Sequence, residues 1–433
     1  MSKKITPEHD ATRGLEEEFE NEAVPLSHRH STRSVSAVWF GFPMILTNAV
    51  FGGIMAYNLG FWRAILAILL GNLVLFAYVG TLSYLAGKTG LNFAMQARKT
   101  FGHRGYIITS AFLSTVVIGW YAFQTGLTGT IVSSTFGWNT SWVIVLATVL
   151  YTGVTFLGVR ALSIIGMIAA PMFVIMGIAA LFFVSQHTDL SQITAYKGTA
   201  GGITMGIAMT MVIAGFADSG TMTADFTRWS QTGKSAVVAT FSAFPVANFV
   251  SLLSGVVIVS AGAGIDPAHN GGDFLHLLVG HNALLNLLAL LFVFINLGSV
   301  CTHCLYNGAV GYSHLLKSKM RIWTIILGVI GGVLAIIGVW SYFLNWLSLL
   351  GVAVPPIGAV MIVDLLFLGH ISSIRAESAY RGSAFLSWAI GTLCATAAHL
   401  WFPDFGEALI GMIIGGAAYA VIQSMTAKKW VTA

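Results

Sequence analysis

The sequence predicts an all-α membrane protein with twelve transmembrane helices. Of its 433 residues, 56% are hydrophobic and only 9% are charged, and the mean hydropathy is +0.81. A soluble domain carries roughly 25% charged residues, so the chain lacks the charge that a water-exposed surface requires. Several apolar runs exceed the length of ~18 residues that marks a candidate membrane-spanning helix. This composition disfavours a soluble enzyme, a nucleic-acid-binding protein and a secreted disulfide-linked domain.

Apolar windows bounded by charged and turn residues predict the individual spans. They cover residues 36–57, 61–86, 106–134, 141–160, 164–186, 203–227, 237–260, 283–309, 323–341, 343–369, 385–400 and 407–425. Lys and Arg concentrate on the cytoplasmic side of membrane proteins, and 19 of the 21 basic residues fall on the side shared by both termini. Only Arg63 and Lys197 fall on the other side. We therefore expect both termini in the cytoplasm and the spans in the inner or plasma membrane.

The N-terminal tail contains no apolar stretch of the kind found in a cleavable signal peptide. The residues of its acidic cluster are expected to form a solvated charge run. They are Glu16, Glu17, Glu18, Glu20 and Glu22. Cys301 and Cys304 have C-x-x-C spacing but no second pair of ligands, so we expect small packing residues there and no zinc site.

Two spans carry clusters of helix breakers near their middle. The first contains Gly41 and Pro43, and the sixth contains Gly215 and Gly220. Interrupted helices in spans one and six are typical of a five-plus-five inverted repeat, the LeuT-like architecture that binds substrate and coupling ion at the unwound midplane. Glycines that serve only helix packing are the alternative interpretation. The predicted organisation is a cytoplasmic N-terminal tail (1–35), a ten-helix inverted-repeat transport core (36–369), two additional transmembrane helices (370–425) and a cytoplasmic C-terminal tail (426–433).

Asp218 lies near the middle of the sixth span. A carboxylate at that depth costs roughly 2.5–3.5 kcal/mol on insertion scales, so we expect it to face a cavity or a partner. Binding of substrate or of a proton is the favoured interpretation. A protonated acid bonded to neighbouring backbone is the alternative.

Aromatic and amide side chains supply the rest of a predicted substrate site. Trp120 and Gln124 are four residues apart on span three and share a helix face. An indole beside an amide suits a flat polar heterocycle, which can stack on one face and form hydrogen bonds along one edge. Phe216, in the sixth span, is a candidate for the opposite face.

A cation site is predicted between spans one and eight. Asn296 and Ser299 are three residues apart on span eight. They offer oxygen atoms opposite the backbone carbonyls that a break would free near Gly41 and Met44. Unwound backbone of this kind coordinates Na⁺ in inverted-repeat transporters.

Four segments of the chain resemble motifs of the nucleobase–cation symporter family, which includes the purine–cytosine permeases. They are GKTGLNFAMQARKTFGHRG (87–105), IGW (118–120), GTMTADFTRW (220–229) and VPPIGAVMIVD (354–364). The resemblance extends from about residue 24 to the last span. It implies twelve spans with a ten-helix inverted repeat, alternating access, and import of a nucleobase or related heterocycle together with a cation.

The resemblance also implies roles for the candidate residues. Trp120 and Phe216 match the two stacking aromatics, and Gln124 matches an amide one turn after the tryptophan. Asn296 matches a residue for substrate or ion, and Ser299 matches a hydroxyl ligand of Na⁺.

Three positions depart from the family pattern. Val117 replaces a polar residue one turn before the tryptophan, Val300 replaces a second hydroxyl of the sodium site, and Asp218 stands where a serine is expected. The loss of a ligand puts Na⁺ coupling in question, and the added carboxylate favours H⁺ coupling. The carboxylate also favours a ligand that presents N–H donors or a positive charge.

The sequence therefore predicts a secondary transporter, not an enzyme, that imports a small nitrogen heterocycle with H⁺ or Na⁺ and uses no organic cofactor. Cytosine is the first candidate, and adenine, hypoxanthine, allantoin-like ureides and a thiamine-precursor pyrimidine stay open. The expected partners are this substrate and the lipid bilayer, with no nucleic acid; the oligomeric state is not predicted. An amino-acid or amine symporter with Asp218 as counter-ion is the alternative. An intramembrane enzyme and a channel are disfavoured.

Overall fold

The computed structural model describes residues 17–186, 188–268, 271–372 and 378–431, and these ranges are mainly helical. The α-helices, in chain order, are α1 (Thr32–Gly41), α2 (Leu46–Leu59), α3 (Phe61–Thr89), α4 (Phe93–Phe101), α5 (Tyr106–Phe136), α6 (Thr140–Phe156), α7 (Val159–Ser185), α8 (Leu190–Ala195), α9 (Met205–Ala214), α10 (Ala217–Thr221), α11 (Ala224–Thr227), α12 (Gly233–Phe241), α13 (Phe249–Ser260), α14 (Ala283–Leu315), α15 (Met320–Ile337), α16 (Phe343–Ala353), α17 (Pro355–Ile362), α18 (Gly382–Trp401) and α19 (Glu407–Val431). Two π-helical turns, Ser242–Asn248 and Val363–Phe367, continue α12 into α13 and extend α17.

The described helices form a multi-pass membrane protein. Within the described ranges, nine helical segments are long and apolar enough to cross a bilayer, and the bent pair α1–α2 raises this number to ten. In the predicted spans 141–160 and 203–227, the apolar helices are α6 and α9, which are shorter than a full span. Large apolar side chains such as Trp142, Ile175 and Leu393 are more than 60% exposed. Exposed apolar surface of this extent is typical of contact with lipid.

The first predicted span is interrupted between α1 and α2. The two helices meet at an angle of 54°, and Pro43 lies in the connection, where its missing N–H group prevents a continuous helix. The Pro43 carbonyl accepts hydrogen bonds from the side chains of Asn48 at 2.6 Å and Ser251 at 2.8 Å. Neighbouring helices therefore supply the partners that the broken backbone requires inside a membrane.

The sixth predicted span is divided into α9, α10 and α11. Phe216 separates α9 from α10 with non-helical backbone angles (φ −135°, ψ 14°). Its ring lies against that of Phe42, which follows α1, with centroids 5.2 Å apart. The two interrupted segments are thus in direct contact.

The α1 helix lies close against α7 because two glycines meet there. A β-carbon added to Gly41 would collide with the backbone of Gly166. This close approach fixes the last turn of α1, where the interruption begins.

The N-terminal segment 17–30, called the strap from here on, corrects one expectation. Glu18 and Glu20 are only 2% and 9% exposed, so they do not belong to a solvated charge run. Glu17 and Glu22 are exposed, and Glu16 lies outside the described residues. The strap crosses the end of the bundle where α7 and α15 begin.

Helix geometry explains why these two acidic residues are buried. The backbone N–H of Val159, at the start of α7, donates to Glu18 Oε1 at 3.1 Å. The N–H of Met320, at the start of α15, donates to Glu20 Oε1 at 2.9 Å. The first N–H groups of a helix have no partner within the helix and carry partial positive charge, so carboxylates from a distant segment stabilise them.

Candidate substrate and cation site

A small cavity lies where the two interrupted segments meet α5 and α14. Its lining comprises Phe42, Ile45, Thr47, Asn48, Trp120, Gln124, Gly215, Phe216, Asp218, Ser219, Val300 and Cys304. Four of the five predicted substrate residues are in this lining, and Asn296 is not. The cavity volume is about 10 Å³, which is about the space of one water molecule. A heterocycle can therefore enter only when the walls separate.

The two predicted stacking residues approach the cavity from different helices. The Trp120 ring, on α5, makes an edge contact with Phe343 at a centroid distance of 5.2 Å. The Phe216 ring makes an edge contact with Phe42 and a tilted contact with Phe244 at 5.5 Å. These contacts hold both rings in place while each still lines the cavity.

Four polar atoms of the cavity side chains have no hydrogen-bond partner among the described residues. They are Trp120 Nε1, Gln124 Nε2, Asp218 Oδ2 and Ser219 Oγ. In Gln124 and Asp218, the second polar atom of the side chain already has a partner. Gln124 Oε1 accepts from the Thr47 hydroxyl at 2.6 Å, and Asp218 Oδ1 accepts from the Ser219 N–H at 2.7 Å. Each buried polar group without a partner costs about 1–3 kcal/mol. A ligand with donors and acceptors along its edge would relieve this cost.

The predicted cation residues come together at the break after α1. Asn296 Nδ2 donates to the Met44 carbonyl at 2.6 Å, and its Oδ1 accepts from the Leu46 N–H at 2.9 Å. The Ser299 hydroxyl donates to the Gly41 carbonyl at 3.3 Å. Asn296 and Ser299 thus join α14 directly to both sides of the break.

The oxygen atoms at this break fit a hard cation in part. The carbonyls of Gly41 and Met44 and the hydroxyl of Ser299 are oxygen ligands of the type that such ions prefer. Val300 follows Ser299 and presents no oxygen. No group of three His, Cys, Asp or Glu side chains in the described ranges could hold a transition metal.

Three intramembrane asparagines, which the sequence reasoning missed, support the break. Asn48 donates to Asn248 at 2.7 Å, and Asn248 donates to Asn72 at 2.9 Å. The chain of amides joins α2, the π-helical turn before α13, and α3. Their signal in the sequence is the presence of amide side chains within apolar spans, where they require partners.

His303, one turn after Ser299, lies between α14 and α1. Its Nε2 is 2.9 Å from the Val38 carbonyl, and its ring stacks on Phe42 at 4.8 Å. His303 is therefore a buried histidine that is bonded to backbone.

The strap is hydrogen-bonded to α14 and to the residue that follows α11. Arg228, which follows α11, donates to the carbonyls of Glu18 and Phe19 at 2.7 and 2.6 Å. The Tyr306 hydroxyl, on α14, donates to Glu18 Oε2 at 2.7 Å. Desolvation raises the pKa of Glu18, while the Tyr306 hydrogen bond and the charge of Arg228 act in the opposite direction.

A helical membrane bundle in which two interrupted segments enclose an aromatic and polar cavity is typical of one class of protein, the secondary transporters. The family model described as permease for cytosine/purines, uracil, thiamine and allantoin matches residues 23–421, and the chain belongs to this family. It is a nucleobase–cation symporter.

Individual relatives agree with this assignment. The cytosine permease of Escherichia coli K12 is 27% identical over 424 residues, which are 96% of each chain. Mhp1, a nucleobase-cation-symport-1 family transporter, in a closed conformation with bromovinylhydantoin bound, has a TM-score of 0.80 at 17% identity, covering 95% of this chain and 96% of its own. The inward-facing conformation of Mhp1 has a TM-score of 0.71 at 18% identity, covering 94% of each chain. These two structures share the fold of this chain.

Proposed function

We propose that the protein imports a planar nitrogen heterocycle, with cytosine as the first candidate, by symport with H⁺ or Na⁺ across the inner membrane. The observation that carries this proposal is the set of four unpartnered polar atoms in a buried cavity lined by Trp120 and Phe216. The names of the relatives support it, because cytosine and a substituted hydantoin are both flat rings with N–H and C=O groups along their edges.

The proposed architecture has twelve spans. The segment α1–α2 and the segment α9–α11 are the two broken spans of a ten-helix core over residues 36–369, and α18 and α19 are the additional pair. Both termini lie in the cytoplasm in this arrangement, so the strap closes the cytoplasmic end.

In the proposed mechanism, Trp120 and Phe216 cover the two faces of the ring. Gln124 and Asp218 bind its edge, and Asn296 holds the break beside it in register with α14. The protein changes no covalent bond of the substrate. Rearrangement of the bundle exposes the cavity first to one side of the membrane and then to the other.

Coupling requires that the ion bind one of these conformations better than the other. For Na⁺, the ligands would be the carbonyls of Gly41 and Met44 and the Ser299 hydroxyl. For H⁺, the carrier would be the Asp218 carboxylate. The valine at position 300 weakens the first route, and both routes remain part of the proposal.

The test is uptake of radiolabelled cytosine into proteoliposomes with the Na⁺ and H⁺ gradients imposed separately. Accumulation driven by one gradient supports the proposal and identifies the ion. Absence of accumulation under either gradient, with the protein correctly folded, removes cytosine as the substrate. Competition by purines, ureides and amines then identifies the ring that is carried.

A further inference from the structure

The Gln124 amide is hydrogen-bonded to Thr47 of a neighbouring helix. Thr47, on α2, is 1% exposed, and Gln124, on α5, is fully buried. The Thr47 hydroxyl donates to Gln124 Oε1 at 2.6 Å. A glutamine amide has one oxygen that accepts and one nitrogen that donates. With the oxygen engaged by Thr47, Gln124 presents its N–H₂ group, which has no partner among the described residues.

Asp218 offers the opposite hydrogen-bonding character. Its Oδ1 is engaged by the N–H of Ser219 at 2.7 Å, and Oδ2 has no partner in the described part of the chain. An ionised carboxylate can only accept hydrogen bonds. The cavity therefore presents a donor from α5 and an acceptor from α10.

We propose that Thr47 is a positioning residue for substrate selection. By fixing the Gln124 amide, it makes the site select rings that present an acceptor, such as a ring nitrogen or carbonyl, to Gln124 and an N–H donor to Asp218. This inference rests on the proposed function. The substrate class is a heterocycle with donor and acceptor on neighbouring edge positions, as in an aminopyrimidine. In a ligand with two neighbouring donors, such as an amidine, one donor would face the Gln124 N–H₂ group, and this mismatch weakens its binding.

The exchange Thr47→Val removes the hydroxyl and keeps the shape. Gln124 is then free to turn its oxygen toward the cavity, and the site can present two acceptors. Thr47→Ser keeps the hydroxyl and should behave like the wild type. Gln124→Glu places an acceptor in the cavity by a different route and should reproduce the Thr47→Val preference. Thr125→Val is the matched control, because the Thr125 hydroxyl donates to the Tyr121 carbonyl on the same helix and is not part of the cavity lining.

The experiment measures binding to purified protein with two small probes, 2-aminopyridine (one donor and one acceptor) and benzamidine (two donors). We expect Thr47→Ser and Thr125→Val to keep the wild-type ratio of the two dissociation constants. In Thr47→Val the ratio of the two dissociation constants should move toward benzamidine by about tenfold, the worth of one hydrogen bond of about 1.4 kcal/mol.

An unchanged ratio in both Thr47→Val and Gln124→Glu overturns the proposal. Because binding is measured directly, this outcome is distinct from a failure of the proposed function, which appears as absence of gradient-driven cytosine uptake by the wild type. If Thr47→Val does not fold, the proposal is tested by comparing the ratio of the two dissociation constants between Gln124→Glu and Thr125→Val.

Discussion

The hydroxyl of Tyr306 donates a 2.7 Å hydrogen bond to the carboxylate of Glu18, a residue 288 positions earlier in the chain. The second carboxylate oxygen of Glu18 accepts from the N–H of Val159. A single side chain of the strap therefore connects the start of α7 with α14. Arg228 binds the strap backbone at the same place.

Glu18→Ala is expected to destabilise the closed end of the bundle. It leaves the Tyr306 hydroxyl and the Val159 N–H without their partner, at about 1–3 kcal/mol for each group. The measurement is the thermal unfolding of the purified protein in lipid nanodiscs. Glu17→Ala is the control, because Glu17 is exposed. Equal unfolding temperatures for the two variants would show that the Glu18 contacts contribute nothing to stability.

The stability of the closed end should depend on pH through Glu18. Burial raises the pKa of this carboxyl above 4.5, against the effects of Tyr306, Arg228, the Val159 N–H and Arg321. The folded protein thus keeps a proton that the unfolded chain has released. The free energy of unfolding therefore decreases as pH rises from 4.5 through the raised pKa. Unfolding measured across this range for the wild type and Glu18→Gln should show the decrease in the wild type only; a parallel decrease in both would assign it to other groups.

Trp120→Ala should lower kcat/KM for uptake by about tenfold or more, because a stacked aromatic contributes roughly 0.5–1.5 kcal/mol beyond its buried area. The measurement is initial uptake into proteoliposomes at matched protein density. Trp142→Ala, which removes an indole that is 74% exposed on α6, is the control. Uptake that is unaffected by Trp120→Ala would remove this ring from the substrate site.

Asp218→Asn keeps the size of the side chain and removes its charge. We expect loss of uptake if the carboxylate binds substrate, or loss of the pH dependence of uptake if it carries the coupled proton. The check is the initial rate as a function of pH, with the exposed Asp404→Asn as control. If Asp218→Asn has the wild-type rate and the wild-type pH profile, the role of Asp218 is structural.

The number of oxygen ligands at the break after α1 should determine how strongly Na⁺ stimulates uptake. Val300→Thr retains the shape of valine and adds a hydroxyl beside Ser299, so uptake is expected to become more strongly stimulated by Na⁺. Ser299→Ala is expected to act in the opposite direction. The measurement is the Na⁺ concentration for half-maximal uptake. If the wild type and both variants require the same Na⁺ concentration, or if uptake by all three is insensitive to Na⁺, this break is excluded as the ion site.

The sequence predicts those features of the fold that depend on neighbouring residues. Hydropathy locates the apolar segments, Pro43 marks the interruption after α1, and the four-residue spacing of Trp120 and Gln124 places both side chains in one cavity. In each case the cause lies within a few residues of its effect.

Features that depend on distant partners were not predictable in the same way. The burial of Glu18 requires the start of α7 and a tyrosine of α14, neither of which has any marker in the tail itself. The orientation of the Gln124 amide is set by Thr47, on a different helix. An expectation of solvated acidic residues was reasonable from composition, and it failed because helix N-termini supplied N–H groups that composition cannot reveal.

The amide chain from Asn48 through Asn248 to Asn72 constrains how this protein can evolve. Asn48 donates to Asn248, and Asn248 in turn donates to Asn72. An apolar replacement at one position would leave an amide without its partner inside the membrane, where such groups are costly. The three positions are therefore expected to covary among homologues, with paired substitutions more frequent than single ones.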